Sequence, residues 1–158
     1  IRLCLVGSEM CIRDSNTIDK WFLETLGVWV STLNKCEYCV EHHFAGLKRL
    51  LNDDEKATQI RSAIYTNKIE EAPLENCQKT AMEYARKLTH NPGSIREESI
   101  EKLRADGYTD GEILEINQVC AYFSYANRTV LGLGCSTKGD ILGLSPNNND
   151  DPNDWGHS

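Results

Sequence analysis

The chain has 158 residues, 40% hydrophobic and 26% charged, with 11 Gly and 4 Pro, which fits one globular domain and excludes a disordered or collagen-like chain. Twenty-four acidic against seventeen basic side chains give a formal charge of −7, a field that repels nucleic acid and anionic lipid and removes both as default partners. No apolar run approaches the ~18–20 residues that span a bilayer, and seven cysteines are too few, and odd in number, for a disulfide scaffold.

The first segment, Leu5 to Ser15 (LVGSEMCIRDS), has neither helical nor strand period. It lacks the long apolar centre and small-residue cleavage site of a signal peptide, and it resembles the translation of a transposase-type sequencing adapter. Residues 1–15 are therefore expected to be non-native, and the chain to be truncated at its N-terminus. Setting Cys4 and Cys11 aside leaves Cys36, Cys39, Cys77, Cys120 and Cys135.

From Thr17 onward the sequence predicts helices divided by short polar breaks. Ile18, Phe22, Leu26, Trp29 and Leu33 form a 3.6-residue stripe over a first helix, Thr17 to Leu33,. Asn34-Lys35 interrupts it, and a second helix runs from Cys36 to Leu51. Asp53 or Asp54 caps a third, Glu55 to Thr66. After Ala72-Pro73, Glu75 to Thr89 predicts a fourth. The Asn91-Pro92-Gly93 turn follows, and Ser94 with Glu97 has the capping-box spacing for a fifth helix through Ala105. Gly107 ends that one, and Thr109 caps a sixth through Leu131. No segment alternates with the period of a strand. The expectation is an all-α bundle of about six helices over residues 16–144, followed by a polar, mobile tail, 145–158, whose Trp155 can dock on the body.

On a helical wheel of the second helix, Cys36, Cys39 and His43 share a face that is otherwise apolar, with Leu47 and Leu50, while His42 drifts to the polar side,. Cys39 and His43 stand at i and i+4, the spacing that brings side chains together. A Cys-x-x-Cys at a helix start places thiols near unpaired N–H groups and the positive dipole end, which favour thiolate. An adjacent imidazole can take the thiol proton, and a second Cys can condense with a sulfenic acid on the first. Cys39 is the expected attacking thiol and Cys36 the resolving one. The opposite order stays open, because the first Cys of such a motif is often the more acidic. Cys77, Cys120 and Cys135 read as packing thiols.

Glu24 is the one charged residue between Trp21 and Leu33. The wheel puts it opposite the apolar stripe, beside Ser31 and Lys35, as a solvated side chain would be. Depth argues otherwise. In an antiparallel hairpin around Asn34-Lys35, Glu24 lies about 15 Å and His43 about 12 Å from the turn, so Glu24 can orient His43 or accept its proton.

Glu24, then Cys36-Glu37-Tyr38-Cys39, then His43 resembles the signature of AhpD-like alkylhydroperoxidases, of the carboxymuconolactone decarboxylase fold family. Val30-Ser31-Thr32-Leu33-Asn34 and Cys39-Val40-Glu41-His42-His43 are similar as well. Ala85-Arg86-Lys87-Leu88-Thr89, Tyr122-Phe123 with Asn127-Arg128, and Asp154-Trp155-Gly156-His157 resemble its uncharacterised peroxidase-related branch. The resemblance spans Thr17 to His157. It implies an all-helical domain, usually a homo-oligomer, that reduces hydroperoxides through Cys36 and Cys39 while Glu24 and His43 relay a proton. It implies no haem or flavin, and a dithiol reductant, either thioredoxin-like or a lipoyl protein. Tyr38 departs from it, standing where some members carry a His, and the helices that precede the Glu in members are missing. A thiol pair with no visible signal peptide suits a reducing cytoplasm.

Two other classes compete. Cys36, Cys39 and His42 or His43 supply three plausible zinc ligands, although His90 and His157 are isolated. A helical interaction protein with a vestigial thiol pair is the third reading.

Overall fold

The structure, a computed structural model, describes residues 17–139 together with 142 and 143. The adapter-like segment, and the tail 145–158 with Trp155 and His157, lie outside the described residues. Among the described residues six α-helices follow one another: α1 (Lys20–Leu33), α2 (Glu37–Leu51), α3 (Asp54–Tyr65), α4 (Asn76–His90), α5 (Glu97–Ala105) and α6 (Asp110–Leu133), with 3-10 turns at Ile69–Glu71 and Pro92–Ser94. No strand occurs among the described residues. The class is all-α.

The bundle is organised around α1, which packs most extensively on α2 and also touches α6, α4 and α3. Its buried residues run right round the helix, with Phe22, Leu26 and Trp29 on one side and Thr25, Val28 and Ser31 on others. A helix enclosed in this way has no solvated face. The buried Trp29 indole finds its acceptor across the core, donating from Nε1 to the Met82 carbonyl of α4 at 2.9 Å, which avoids the penalty of an orphaned donor. On the far side of α2, Arg61 of α3 pairs with Glu41 and lies over the Phe44 ring at 4.4 Å.

The α1–α2 turn is built with little slack. Lys35 N–H donates to the Thr32 carbonyl at 3.0 Å and Cys36 N–H to the Ser31 carbonyl at 2.9 Å, the paired bonds that close a helix on a left-handed residue. That residue is Lys35, at φ 59°, a conformation most side chains avoid. Cys36 thus ends the closing motif of α1 and is also the N-cap of α2.

Two sequence-predicted helix starts shift. The first helix begins at Lys20, with Asp19 as N-cap. Thr17 instead donates its N–H and hydroxyl to Glu115 of α6, at 3.3 and 3.1 Å. The Ser94–Glu97 capping box does not form. Ser94 closes the 3-10 turn and donates to the Asn91 carbonyl at 2.7 Å, so α5 starts at Glu97 with Arg96 as N-cap. Asp53 does cap α3, accepting from Lys56 N–H at 2.9 Å, and Thr109 with Glu112 forms the box that opens α6.

Gly27 sets the approach of α6 to α1. A Cβ there would lie 2.7 Å from Cζ and 2.8 Å from Cε2 of Phe123, so the ring rests on bare backbone. Gly27→Ala is expected to lower stability by about 1–3 kcal/mol, the scale of overpacking, despite the better helix propensity of Ala. Urea denaturation reads this as a lower midpoint at unchanged slope. A raised midpoint would show that Phe123 moves aside freely. No helix among the described residues is long and apolar enough to cross a membrane.

Candidate active site

The start of α2 brings Cys36 and Cys39 together. Cys36 is the N-cap and Cys39 sits in the first turn, and their sulfurs are 2.6 Å apart. Both thiols are free and both are buried, Cys36 fully and Cys39 to 4% exposure. Joining them into a disulfide of ~2.0 Å needs only a small displacement. The ionisation of Cys39 differs from the expectation drawn from the helix dipole. Burial first, and then the hydrogen bond with Cys36, push the Cys39 thiol up to about 12, while a hydrogen bond with Asn127 acts the other way. Desolvation of a thiolate outweighs the pull of the helix N-terminus here. Cys39 therefore holds its proton at neutral pH, and attack on any electrophile requires a partner that takes that proton.

A pH effect on stability follows. Cys39 and the fully buried Cys120 both titrate at about 12 in the fold, against 9.0 ordinarily. Above pH 9 the unfolded chain releases these protons and the native state does not. Stability is then intact below pH 9 and falls as pH rises toward about 12, by about 1 kcal/mol per pH unit for each thiol. Cys120→Ala is expected to flatten the plot of unfolding free energy against pH between 9 and 11. An unchanged slope would show that Cys120 ionises equally well in both states.

The hairpin also joins Glu24 to His43. Glu24 Oε2 and His43 Nδ1 are 2.7 Å apart, with side chains 12% and 22% exposed. The wheel misplaced Glu24 because α2 and α6 cover the side of α1 opposite the stripe, burying Ser31 as well. The equal-depth argument anticipated the pairing. Two residues make room for it. Gly46 lies under the carboxylate, where a Cβ would stand 3.1 Å from both Cδ and Oε2 of Glu24. Phe123 packs edge-on against the His43 ring, at 4.4 Å between centroids and 75°. With Nδ1 engaged by Glu24, Nε2 is the nitrogen left to exchange a proton, and Cys39 stands one helical turn back on the same face of α2.

Asn127 belongs to the family resemblance, which gives it no role. Fully buried on α6, it accepts from Asn34 Nδ2 at 3.0 Å and donates from Nδ2 to Ser31 Oγ at 3.0 Å. The sequence carried a signal for it. Ile113, Ile116, Cys120 and Phe123 form the buried stripe of α6, and Asn127 takes the next position of that stripe. Gly46 and Gly27 left no comparable trace, since a mid-helix Gly explains itself only once its neighbour is known.

The other candidates fall elsewhere. His42 stacks on Tyr38, with centroids 4.5 Å apart. Among the described residues no three His, Cys, Asp or Glu side chains converge as metal ligands, so the zinc reading lacks its ligand set. Cys120 is the packing thiol expected, but Cys77 is half-buried and Cys135 is exposed. Cys135 follows the end of α6, where Gly134 has left the helical conformation, and no helical face buries it.

No protein-family model and no curated protein matches the chain. Solved structures do. An uncharacterised peroxidase-related protein from Silicibacter sp. TM1040 superposes with a TM-score of 0.74 at 26% identity, over 85% of this chain and 68% of that one. An alkylhydroperoxidase AhpD core structure, an uncharacterised peroxidase-related protein from Ralstonia eutropha JMP134, superposes with a TM-score of 0.71 at 22% identity, over 92% and 70% of the two chains. The fold is AhpD-like.

Proposed function

We propose that the protein is a thiol-dependent peroxidase of the alkylhydroperoxidase kind. The observation that carries the reading is the buried pair of sulfurs 2.6 Å apart, set on the same helix as a His43 already bound to Glu24. A peroxidase of this class needs a nucleophilic thiol, a second thiol within bonding reach and a path for one proton, and these residues supply the three.

Cys39 is the attacking sulfur. His43 Nε2 takes its proton, while Glu24 holds the ring and stabilises the imidazolium that forms. The thiolate attacks the terminal oxygen of a hydroperoxide, the O–O bond breaks, and the alkoxide leaves as alcohol after receiving the proton from His43. Cys39 is then a sulfenic acid. Cys36 attacks its sulfur, expels water and closes the disulfide, so two electrons pass from the thiol pair to each peroxide. An external dithiol, of the thioredoxin or lipoyl type, returns the pair to the reduced state by thiol–disulfide exchange. Every step uses side-chain sulfur and acid–base chemistry.

A homo-oligomer is supported by α6, along which Leu114, Tyr125, Leu131 and Leu133 are all exposed. Apolar side chains gathered along one helix favour burial against another protein surface. The test of the function is consumption of an organic hydroperoxide in the presence of a dithiol reductant. Wild type is expected to turn over, and the double variant Cys36→Ser/Cys39→Ser to fall to the uncatalysed rate. Equal rates for the two would reject the thiol mechanism.

A further inference from the structure

We propose that a second binding site lies on the side of α1 away from the thiols and takes a small organic carboxylate, its apolar body on Trp29 and its charged end at Lys87 and His90. The site goes beyond the peroxidase reading and does not depend on it.

A cavity of about 550 Å³ opens between α1, α3 and α4, a size usual for small-molecule pockets. Its floor is apolar. Trp29 and Ile64 line it while only 1% exposed, and Leu33 beside them is half-buried. The Trp29 indole nitrogen is spent on the Met82 carbonyl, so the rest of the ring, all carbon, is what a ligand meets. The body of α1 separates this cavity from the thiol pair. Glu24 reaches α2 through His43 and Ser31 reaches α6 through Asn127, whereas Trp29 faces α4.

The rim is basic on one side. Arg86, Lys87 and His90 line the cavity from the C-terminal part of α4, and no acidic side chain lines it. That is a strong bias in a chain with 24 acidic against 17 basic residues. The stretch Ala85 to Thr89, to which the family resemblance gives no role, supplies two of the three. Lys87 and His90 form no ion pair among the described residues. Arg86 is held by Glu83 through one terminal nitrogen at 2.5 Å, which leaves its other N–H groups to donate. Three helices also end here, α1 at Leu33, α3 at Tyr65 and α4 at His90, and last-turn carbonyls carry partial negative charge. The closing turns answer much of it. The carbonyls of Val30, Ser31 and Thr32 accept from residues 34–36, and those of Ser62, Ala63 and Ile64 from residues 66–68. The side chains of α4 therefore set the sign of the rim.

An apolar floor under a basic rim selects the ligand. A bare inorganic anion leaves the floor unused, and a neutral hydrocarbon leaves the rim unused. A carboxylate on a flat or alkyl body uses both, with charge-assisted hydrogen bonds at its head.

The experiment is calorimetric titration of the full chain with 2-naphthoate, repeated with neutral 2-naphthamide and with inorganic phosphate. One 2-naphthoate is expected to bind per chain with a Kd on the order of 10⁻⁴ M, the reach of so few atoms. 2-Naphthamide is expected to bind at least about tenfold more weakly. Lys87 is exposed, so Lys87→Glu leaves the core untouched, and it is expected to weaken 2-naphthoate at least about tenfold. Lys102→Glu, the same charge change at an exposed position of α5, is expected to leave the affinity within about twofold, since salt screens a distant charge. Equal losses in the two variants would reduce the effect to net charge and overturn the proposal. So would a folded wild type that does not bind 2-naphthoate, or one that binds 2-naphthamide equally well. Phosphate bound while 2-naphthoate is refused would also overturn it, leaving an anion site with no apolar half.

Discussion

Cys39→Ser is expected to abolish peroxide reduction, lowering the rate by roughly 10³-fold or more, the scale on which removal of a nucleophile acts. Cys36→Ser is expected to behave differently. With the resolving thiol gone, Cys39 still attacks, so one peroxide is consumed per chain and catalysis then stops at the sulfenic acid, which a cyclic diketone traps on Cys39. The contrast follows from the 2.6 Å separation of the sulfurs, which puts one within bonding reach of whatever forms on the other. Comparing the two variants also tests their order. Single-turnover consumption in Cys39→Ser, with trapping on Cys36, would reverse the assignment, and full multiple-turnover activity in either variant would remove the pair from the mechanism.

The second large effect belongs to Glu24 and His43. A thiol that holds its proton up to about 12 depends on a base more heavily than an exposed one. His43→Ala and Glu24→Gln are each expected to lower the rate by about 10²–10⁴-fold, the range of general acid–base catalysis. Because the two act as one unit through their 2.7 Å hydrogen bond, the double variant is expected to lose little more than the worse single one. Additive losses would mean that they act separately. Gly46→Ala probes the same pair from behind. Ala raises helix propensity by up to ~1 kcal/mol, but its Cβ meets the Glu24 carboxylate at 3.1 Å and displaces it by a few tenths of an ångström. Thermal stability is expected to hold or rise while the rate falls by about tenfold. A fully active Gly46→Ala would show that the carboxylate shifts without losing His43.

The helices were legible because their signals are local. Asp53 and Thr109 are caps whose hydrogen bonds lie within one turn, and Asn34-Lys35 marks a break that backbone geometry alone requires. Ser94 misled for the same reason in reverse. Its spacing to Glu97 suits a box, but Pro92 favours a 3-10 turn that takes the Ser94 hydroxyl first. Glu24 shows the limit of periodicity. A wheel assumes one buried face, and α1 is covered on every side, so depth from the turn located Glu24 where the stripe did not. The helix N-terminus that favours a thiolate is visible in sequence, and the burial that holds the proton on Cys39 is not. The two glycines act on side chains of other helices, Gly27 on Phe123 and Gly46 on Glu24, a relation that one chain read in order does not display.

The most direct measurement is a peroxide titration without reductant. The reduced protein is treated with an equimolar amount of cumene hydroperoxide, free thiols are alkylated, and cysteine peptides are mapped by mass. The expected product carries one new disulfide, joining Cys36 to Cys39, with every other cysteine alkylated as a thiol. Recovery of Cys36 and Cys39 as alkylated thiols, with the peroxide unspent or the oxidation found on the exposed Cys135, would contradict the assignment of this site as a peroxidase centre.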